Sequence, residues 1–343
     1  MNPFLVLVTG IAGGFVSGFL GAGCGVVITP VLFEFGLSPF TAVSTQLCHA
    51  VGTNLSNFLA YKRKRDVDFH LALYILLGGG LGAFCEWLIL MHRPSSETAF
   101  QKFAYVYVVT LLIFSFTMVL QGIKSRKTKA KVTYGMASVI MKRWMLYLPL
   151  HKIFRRSRTE MSIFVPIFVG FTAGMIVSAI GGGNNIFMAP IIIYLIGRMS
   201  PVVQGTSSLA GFAITMIVSL VYAERGYTCD FQLVILLLAG ASIGSWIGVN
   251  LTYYVKGIYV SIISAAVVFF MAVRMVCKIV SGAGRQLTEA ASNKSTIFAF
   301  ASERPLLYTG ICIVLVCATS ITFEKTIMAI FKKSKIDQKK DHS

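Results

Sequence analysis

Charge is scarce in this sequence. Only 13% of its 343 residues are Asp, Glu, Lys or Arg, about half the ~25% of a soluble globular domain. Acids are scarcest, 13 against 31 Lys and Arg. The seven cysteines form no C-x-x-C pair and no ligand spacing with histidine, which argues against a zinc site; their odd number argues against a closed disulfide framework. No G-x-x-x-x-G-K-[ST] run occurs, so ATP-driven pumping would need a separate subunit. The opening MNPFLVLVTG lacks a basic stretch ahead of its apolar run and reads as retained membrane structure, not a cleaved signal. Neither a metal nor a cofactor is expected, and no catalytic residue.

Apolar sequence fills the chain instead, at 56% hydrophobic with a mean hydropathy of +0.76. Runs such as Leu71–Leu90, Phe103–Leu120, Val255–Val273 and Leu306–Phe323 approach the ~20 residues a helix needs to cross a bilayer core. The expected fold is all-α, a polytopic helical membrane protein. A net charge of +18 raises the question of nucleic acid, and the charge positions answer it. Four basic residues lie at Lys62–Arg65, eleven at Lys124–Arg158 and six at Lys325–Lys340, all between or after apolar segments. That is the pattern of cytoplasmic loops under the positive-inside rule, and no nucleic-acid partner is expected. The bilayer is the partner, with anionic lipid near the basic linker and tail; a homo-oligomer stays open.

Apolar segments fall at 4–36, 39–61, 69–91, 100–122, 163–196, 201–223, 230–253, 256–279 and 305–323. Two of them, 4–36 and 163–196, exceed one span and are broken by glycines, in GFLGAGCGVVITP (Gly18 to Pro30) and AIGGGNNIFMAP (Ala179 to Pro190). The breaks belong to an internal repeat. An offset of 160 places Gly21, Gly23 and Pro30 on Gly181, Gly183 and Pro190; 161 places Ala42–Gln46 on Val203–Ser207 and Tyr61 on Tyr222; 162 places Asp68-Phe69 on Asp230-Phe231, and Gly78 and Gly82 on Gly240 and Gly244. The expected organisation is membrane repeat 1 (4–122), a basic cytoplasmic linker (123–162), membrane repeat 2 (163–280), a polar loop (281–304), an additional transmembrane helix (305–323) and a basic cytoplasmic tail (324–343). Within the linker, Tyr134–Phe154 reads equally as an interfacial helix or as unstructured basic chain. The loop after Tyr61 is strongly basic, whereas its counterpart carries Glu224, Arg225 and Asp230. Opposite sidedness of those loops makes the repeats inverted, with each broken segment a re-entrant hairpin.

Broken membrane helices free backbone groups that are tolerated only against protein or a water-filled cavity. Transporters aim the N-termini of such half-helices at anionic substrates. The expected substrate-binding residues are therefore Gly21, Gly23, Cys24 and Gly25 in the first break and Gly181, Gly182, Gly183, Asn184 and Asn185 in the second. Polar runs early in the following helices add Thr45 and Gln46, and Thr206 and Ser207, as neutral hydrogen-bonding groups for a small oxyanion. His49 and Glu86 are ionisable residues inside apolar segments and candidates for proton coupling; Glu34 lies near the end of the first broken segment.

The order glycine break, Pro30, Ala42–Gln46, Val67-Asp68-Phe69 and Gly78–Ala83 resembles the TauE/SafE family of membrane permeases, and Gly21–Gly25 forms the break. The likeness covers both halves, about 240 residues. It implies export of sulfite or organosulfonates across the bacterial inner membrane. Three features depart from the family pattern: GAGCG in the first break, two asparagines in the second, and a long basic linker with a ninth apolar segment.

The leading reading is a secondary transporter for a small anion. An anion channel or a membrane-structural protein is the alternative, and an intramembrane enzyme a more distant one. The enzyme's best nucleophile is Ser17 with His49 as base, although Val177 stands at the position of Ser17 in repeat 2 and no G-x-S-x-G elbow surrounds it.

Overall fold

Proline opens four of the helices and aspartate caps two more, and from these starts the bundle can be laid out. A computed structural model of the chain describes residues 3–20, 24–35, 37, 39–91, 150–154, 159–181, 201–251 and 304–340, with single positions between 108 and 116 and between 266 and 277. Its helices are α1 (Pro3–Leu20), α2 (Gly25–Glu34), α3 (Pro39–Arg63), α4 (Phe69–Met91), α5 (Phe164–Ile180), α6 (Pro201–Glu224), α7 (Phe231–Leu251) and α8 (Pro305–Lys340). Pro3, Pro39, Pro201 and Pro305 each occupy the first helical position, where the missing N–H has no partner to lose. Asp68 caps α4 through Oδ1, which accepts from Leu71 N at 3.3 Å, and Asp230 caps α7 by accepting from Gln232 N at 3.1 Å and Leu233 N at 3.3 Å.

α3 and α6 end identically. Lys64 and Asp66 donate backbone N–H groups to Tyr61 O, as Arg225 and Tyr227 do to Tyr222 O. The residue that turns the chain is left-handed in both, Arg65 at φ 60 and Gly226 at φ 79.

Helix pairing is unchanged when the halves are exchanged. The extensive contacts are α1 with α7, α4 with α5, and α3 with α6. In the first pair, backbone meets backbone: a Cβ on Gly14 would strike Ala241, and one on Gly244 would strike Ile11 and Phe15. Gly10, Gly14 and Gly18 thus face Gly240, Gly244 and Gly248, small-residue packing that stands in for a hydrophobic drive in lipid. Gly170 and Gly174 of α5 meet Ile75 and Gly79 of α4 in the same way.

α3 and α6 run antiparallel. Gln204 near the start of α6 takes a 2.7 Å bond from the Tyr61 hydroxyl near the end of α3, while Cys48 Sγ lies 3.1 Å from Ser219 Oγ toward the other end. The loops at 64–68 and 225–230 therefore sit at opposite ends of this pair. α1 runs alongside α3, because Ser17 meets Asn57 and Gly18 meets Tyr61. Cys24 then lies back beside His49 and Thr53, and α2 packs along α3 from there.

Polarity is arranged inside out. Leu73, Leu77, Leu81 and Phe84 on α4 and Leu307, Ile311 and Val314 on α8 are exposed, while the polar side chains of α3 are buried. Gln204–Glu224, Phe231–Leu251 and Pro305–Phe323 are long and apolar enough to cross a membrane, and Pro3–Phe19, Phe69–Cys85 and Phe164–Ser178 are shorter apolar stretches. α8 packs on the α3 face that carries Cys48, Gly52 and Ser56: Ser320 Oγ donates to Gly52 O at 2.9 Å, and the Tyr308 hydroxyl donates to Cys229 O at 3.2 Å.

One small element departs from an all-helical chain. His151–Phe154 (β1) pairs antiparallel with Thr159–Ser162 (β2), His151 opposite Ser162. The last four residues of the stretch read as an interfacial helix are thus a strand, and 134–149 lie outside the described residues. The hairpin docks through Tyr74, which receives a 3.2 Å bond from Lys152 Nζ and an edge contact from Phe154 at 6.1 Å.

Candidate functional site

α3 is an unusual membrane helix because its polar side chains point inward. Gln46, His49, Thr53, Asn54 and Asn57 are all fully buried. Burying such groups is costly unless they are bonded, and inside a membrane protein they mark function. Gln46, His49, Thr53 and Asn57 follow one another at helical spacing on one side of α3.

Cys24 is the hub of the first group. Its Sγ accepts from Gln46 Nε2 at 3.3 Å and lies 3.3 Å from Thr53 Oγ1 and 3.4 Å from His49 Nδ1. The residue also starts α2, since its carbonyl accepts from Val27 N and Ile28 N at 3.0 Å each. The positive end of the α2 dipole is therefore directed at this cluster. Gln46 Oε1, an acceptor, makes no hydrogen bond.

The second break begins nearby. Gly181 closes α5 in a left-handed conformation, φ 83, with its N–H on Val177 O at 2.8 Å. A Cβ there would press on Val43 of α3, one turn before Gln46. Both breaks thus abut the same stretch of α3. Gly21 and Gly23 in the first, and Gly182, Gly183, Asn184 and Asn185 in the second, lie outside the described residues. Gly25 is buried at the start of α2.

Thr45 and Thr206 are engaged elsewhere. The Thr206 hydroxyl accepts the Asp68 backbone N–H at 2.9 Å and donates to Val202 O at 2.6 Å; the Thr45 hydroxyl accepts the Asp230 N–H at 3.0 Å. Each repeat thereby closes the helix cap of the other. Ser207 Oγ donates to Gln204 O of its own helix at 3.1 Å. Glu86 lies on α4 four residues after Gly82, at the register position that Gly248 holds on α7.

A second polar group lies two turns along α3 from His49. Asn57 Nδ2 donates to Ser17 Oγ at 2.9 Å, and Asn57 Oδ1 has no partner. Asn57 also lines a cleft with Ser56, Ala60, Ser242, Ser245, Trp246 and Val249. Beyond it, Lys64 Nζ donates to Asn250 Oδ1 at 3.3 Å, and partial burial draws that ammonium below the usual lysine range, with Asp66 opposing. The proposed Ser17–His49 dyad does not form: Ser17 is held by Asn57 and His49 by Cys24. Thr53 and Asn57 went unnoticed in the sequence, although their helical spacing from His49 was the available signal.

The family described as sulfite exporter TauE/SafE matches residues 6–275. The chain belongs to this family. Relatives of this TauE/SafE protein are membrane transporters by name. Probable membrane transporter protein YjnA of Bacillus subtilis (strain 168) is 26% identical over 72% of this chain and 89% of its own. YunE of the same organism, also named as a probable membrane transporter, is 24% identical over 72% and 88%. A probable membrane transporter protein of Haemophilus influenzae is 24% identical over 69% and 82%. No solved structure matches. The chain is an integral membrane transporter, and α8 lies beyond the matched region.

Proposed function

We propose that this transporter carries a small anion of the sulfite or organosulfonate class out across the bacterial inner membrane. The observation that carries the reading is the buried cluster of Cys24, Gln46, His49 and Thr53 at the N-terminus of α2, with the second break one turn away on α3. Neutral donors and a helix dipole stabilise an anion without a fixed cation that would hold it too tightly to release. His49, inside the cluster, is the better placed of the two proton-coupling candidates. The antiparallel run of α3 and α6 supports an inverted pair of repeats. The basic loop Lys62–Arg65, the linker and the tail then lie on the cytoplasmic side against anionic lipid.

The test is counterflow in proteoliposomes with labelled sulfite, sulfate, methanesulfonate and a carboxylate, measured on wild type, Gln46→Leu and His49→Ala. Sulfite or methanesulfonate should exchange, and both variants should lose at least tenfold in rate while remaining folded. Exchange of none of the four anions, or wild-type exchange by both variants, refutes the proposal. Counterflow also separates a carrier from a channel, which gives no trans-stimulation.

A further inference from the structure

Both repeats carry a basic residue just past the end of the helix that leads to the aspartate cap, Lys64 after α3 and Arg225 after α6, 161 positions apart. Lys64 finds an acceptor, because its Nζ donates to Asn250 Oδ1 near the end of α7 at 3.3 Å. Arg225 meets the corresponding end of α4, where Leu88 stands in register with Asn250 and Trp87 precedes it. Its Cζ lies 5.9 Å from the centroid of the Trp87 ring. Arg225 Nη2 and Trp87 Nε1 are both buried, and neither has a hydrogen-bond partner. One end of the bundle thus satisfies its cation with an amide oxygen, and the other sets its cation beside an indole.

A guanidinium has five N–H donors and no acceptor, and an indole nitrogen only donates. Two such groups side by side cannot satisfy one another. What completes them is an acceptor, and the positive charge favours an anionic one. The planar fork of arginine suits the paired oxygens of a sulfur oxyanion as it suits carboxylate and phosphate, and stacking on the indole holds that fork in place. Packing alone accounts for the pair less well. Trp87 is in register with Val249, which is buried with Tyr61 and Val67 in the other half, so an apolar side chain serves the fold at this position. An arginine that merely covered the ring would leave its nitrogens to water, whereas a buried orphan donor is costly and rare. Arg225 also lies at the end of the bundle opposite Lys62–Arg65, the side from which the positive-inside rule withholds basic residues.

We infer that Arg225 and Trp87 form an oxyanion-binding site at the membrane face opposite Lys62–Arg65, where the oxygens of a sulfite or sulfonate bridge Arg225 Nη2 and Trp87 Nε1. The inference rests on the anion-transport reading and gives that route an outer station. Both donors are covered in this conformation, which is therefore closed at that end. Alternating access opens that end at some stage and uncovers the two donors together. Lys64, engaged by Asn250 at the other end, does not duplicate the arrangement.

The test uses the full chain in proteoliposomes of known orientation, with sulfite or methanesulfonate supplied at the face opposite Lys62–Arg65. Counterflow is measured against anion concentration for wild type, Arg225→Gln, Arg225→Lys and Trp87→Phe. Arg225→Gln removes the charge and should raise the half-saturating concentration at least tenfold. Arg225→Lys keeps the charge without the fork, and Trp87→Phe keeps the ring without its N–H; each should raise it at least threefold. Unfolding temperature is the second readout. Arg225→Gln deletes a buried donor that nothing in the protein satisfies, so the purified variant should unfold no lower than wild type, and its stabilisation by methanesulfonate should weaken. A packing role predicts the reverse: a lower unfolding temperature with half-saturation unchanged. Wild-type half-saturation by folded Arg225→Gln and Trp87→Phe overturns the site and leaves the transport reading standing. Failure of wild type to bind or exchange either anion refutes that reading, and the site with it.

Discussion

Removing one hydroxyl, as Thr206→Val, separates two roles for the threonines early in α3 and α6. The sequence made Thr45 and Thr206 substrate ligands, whereas the structure occupies both with caps of the opposite repeat. Valine keeps the shape and leaves the buried Asp68 N–H without its 2.9 Å acceptor. An orphaned buried donor costs about 1–3 kcal/mol, and that loss is the expected destabilisation. Val202 O loses a second donor but keeps its place in the helix, so it adds little. Thr45→Val should cost a similar amount at the other end of the bundle. Some 16 residues of α3, about 24 Å, separate the two caps, well beyond the 7–10 Å within which effects couple. The double variant should therefore be destabilised by the sum, about 2–6 kcal/mol. Ser207→Ala, whose hydroxyl bonds only to its own helix, is the control and should cost less than ~0.5 kcal/mol. Thermal or denaturant unfolding of purified protein reads the first quantity, and counterflow of the surviving fold reads the second. Loss of transport by Thr206→Val and Thr45→Val at unchanged stability would refute the capping argument and return both hydroxyls to the substrate.

Three further expectations follow from the packing. Arg65 holds the left-handed position that Gly226 fills in the other half, so Arg65→Gly should stabilise by about 0.5–1 kcal/mol and Gly226→Ala destabilise by about 1 kcal/mol; unfolding curves that reverse these signs would contradict the φ argument. Gly14→Ala drives a methyl into the backbone of Ala241, which cannot step aside as a side chain can, at a cost of about 1–3 kcal/mol. Gly80 has open space around it, and Gly80→Ala should be neutral or stabilise by up to ~1 kcal/mol; the two variants behaving alike would dismiss the helix-contact account. Finally, Arg63→Cys and Thr228→Cys on a cysteine-free background should label from opposite membrane faces, and same-face labelling would exclude inverted repeats.

Much of this architecture is legible in the sequence because it is written locally. The apolar runs, the two glycine breaks and the offsets of 160 to 162 each need only neighbouring residues or a comparison of the chain with itself. What escaped is what depends on distant partners. Thr206 reads as a free hydroxyl until Asp68, 138 residues away, is seen to cap against it. Asn57 reads as one polar residue among several until Ser17 and the cleft are placed beside it. The strand at His151–Phe154 is similarly remote in cause, since Tyr74 supplies its docking surface. Gln46 and His49 stand out from sequence alone because an amide and an imidazole in an apolar segment are conspicuous without their surroundings.

The glycine contacts between α1 and α7 also set a timetable for biosynthesis. Ser245 reaches Gly14 O across 231 residues of chain, and at ~5–20 residues per second a ribosome needs roughly 10–50 s to make that interval. Throughout it, α1 stands in lipid without its main neighbour, presenting a face of glycines, which lipid tails tolerate because nothing polar is left exposed beyond the helix's own closed backbone. α3 would fare badly under the same delay, with an amide, an imidazole and an asparagine facing hydrocarbon. Its partners come early: Cys24 precedes His49 by 25 residues, and Ser17 precedes Asn57 by 40. The imidazole and the asparagine are matched within the nascent first half, whereas the hydroxyls of Tyr61 and Thr45 wait for partners in the second.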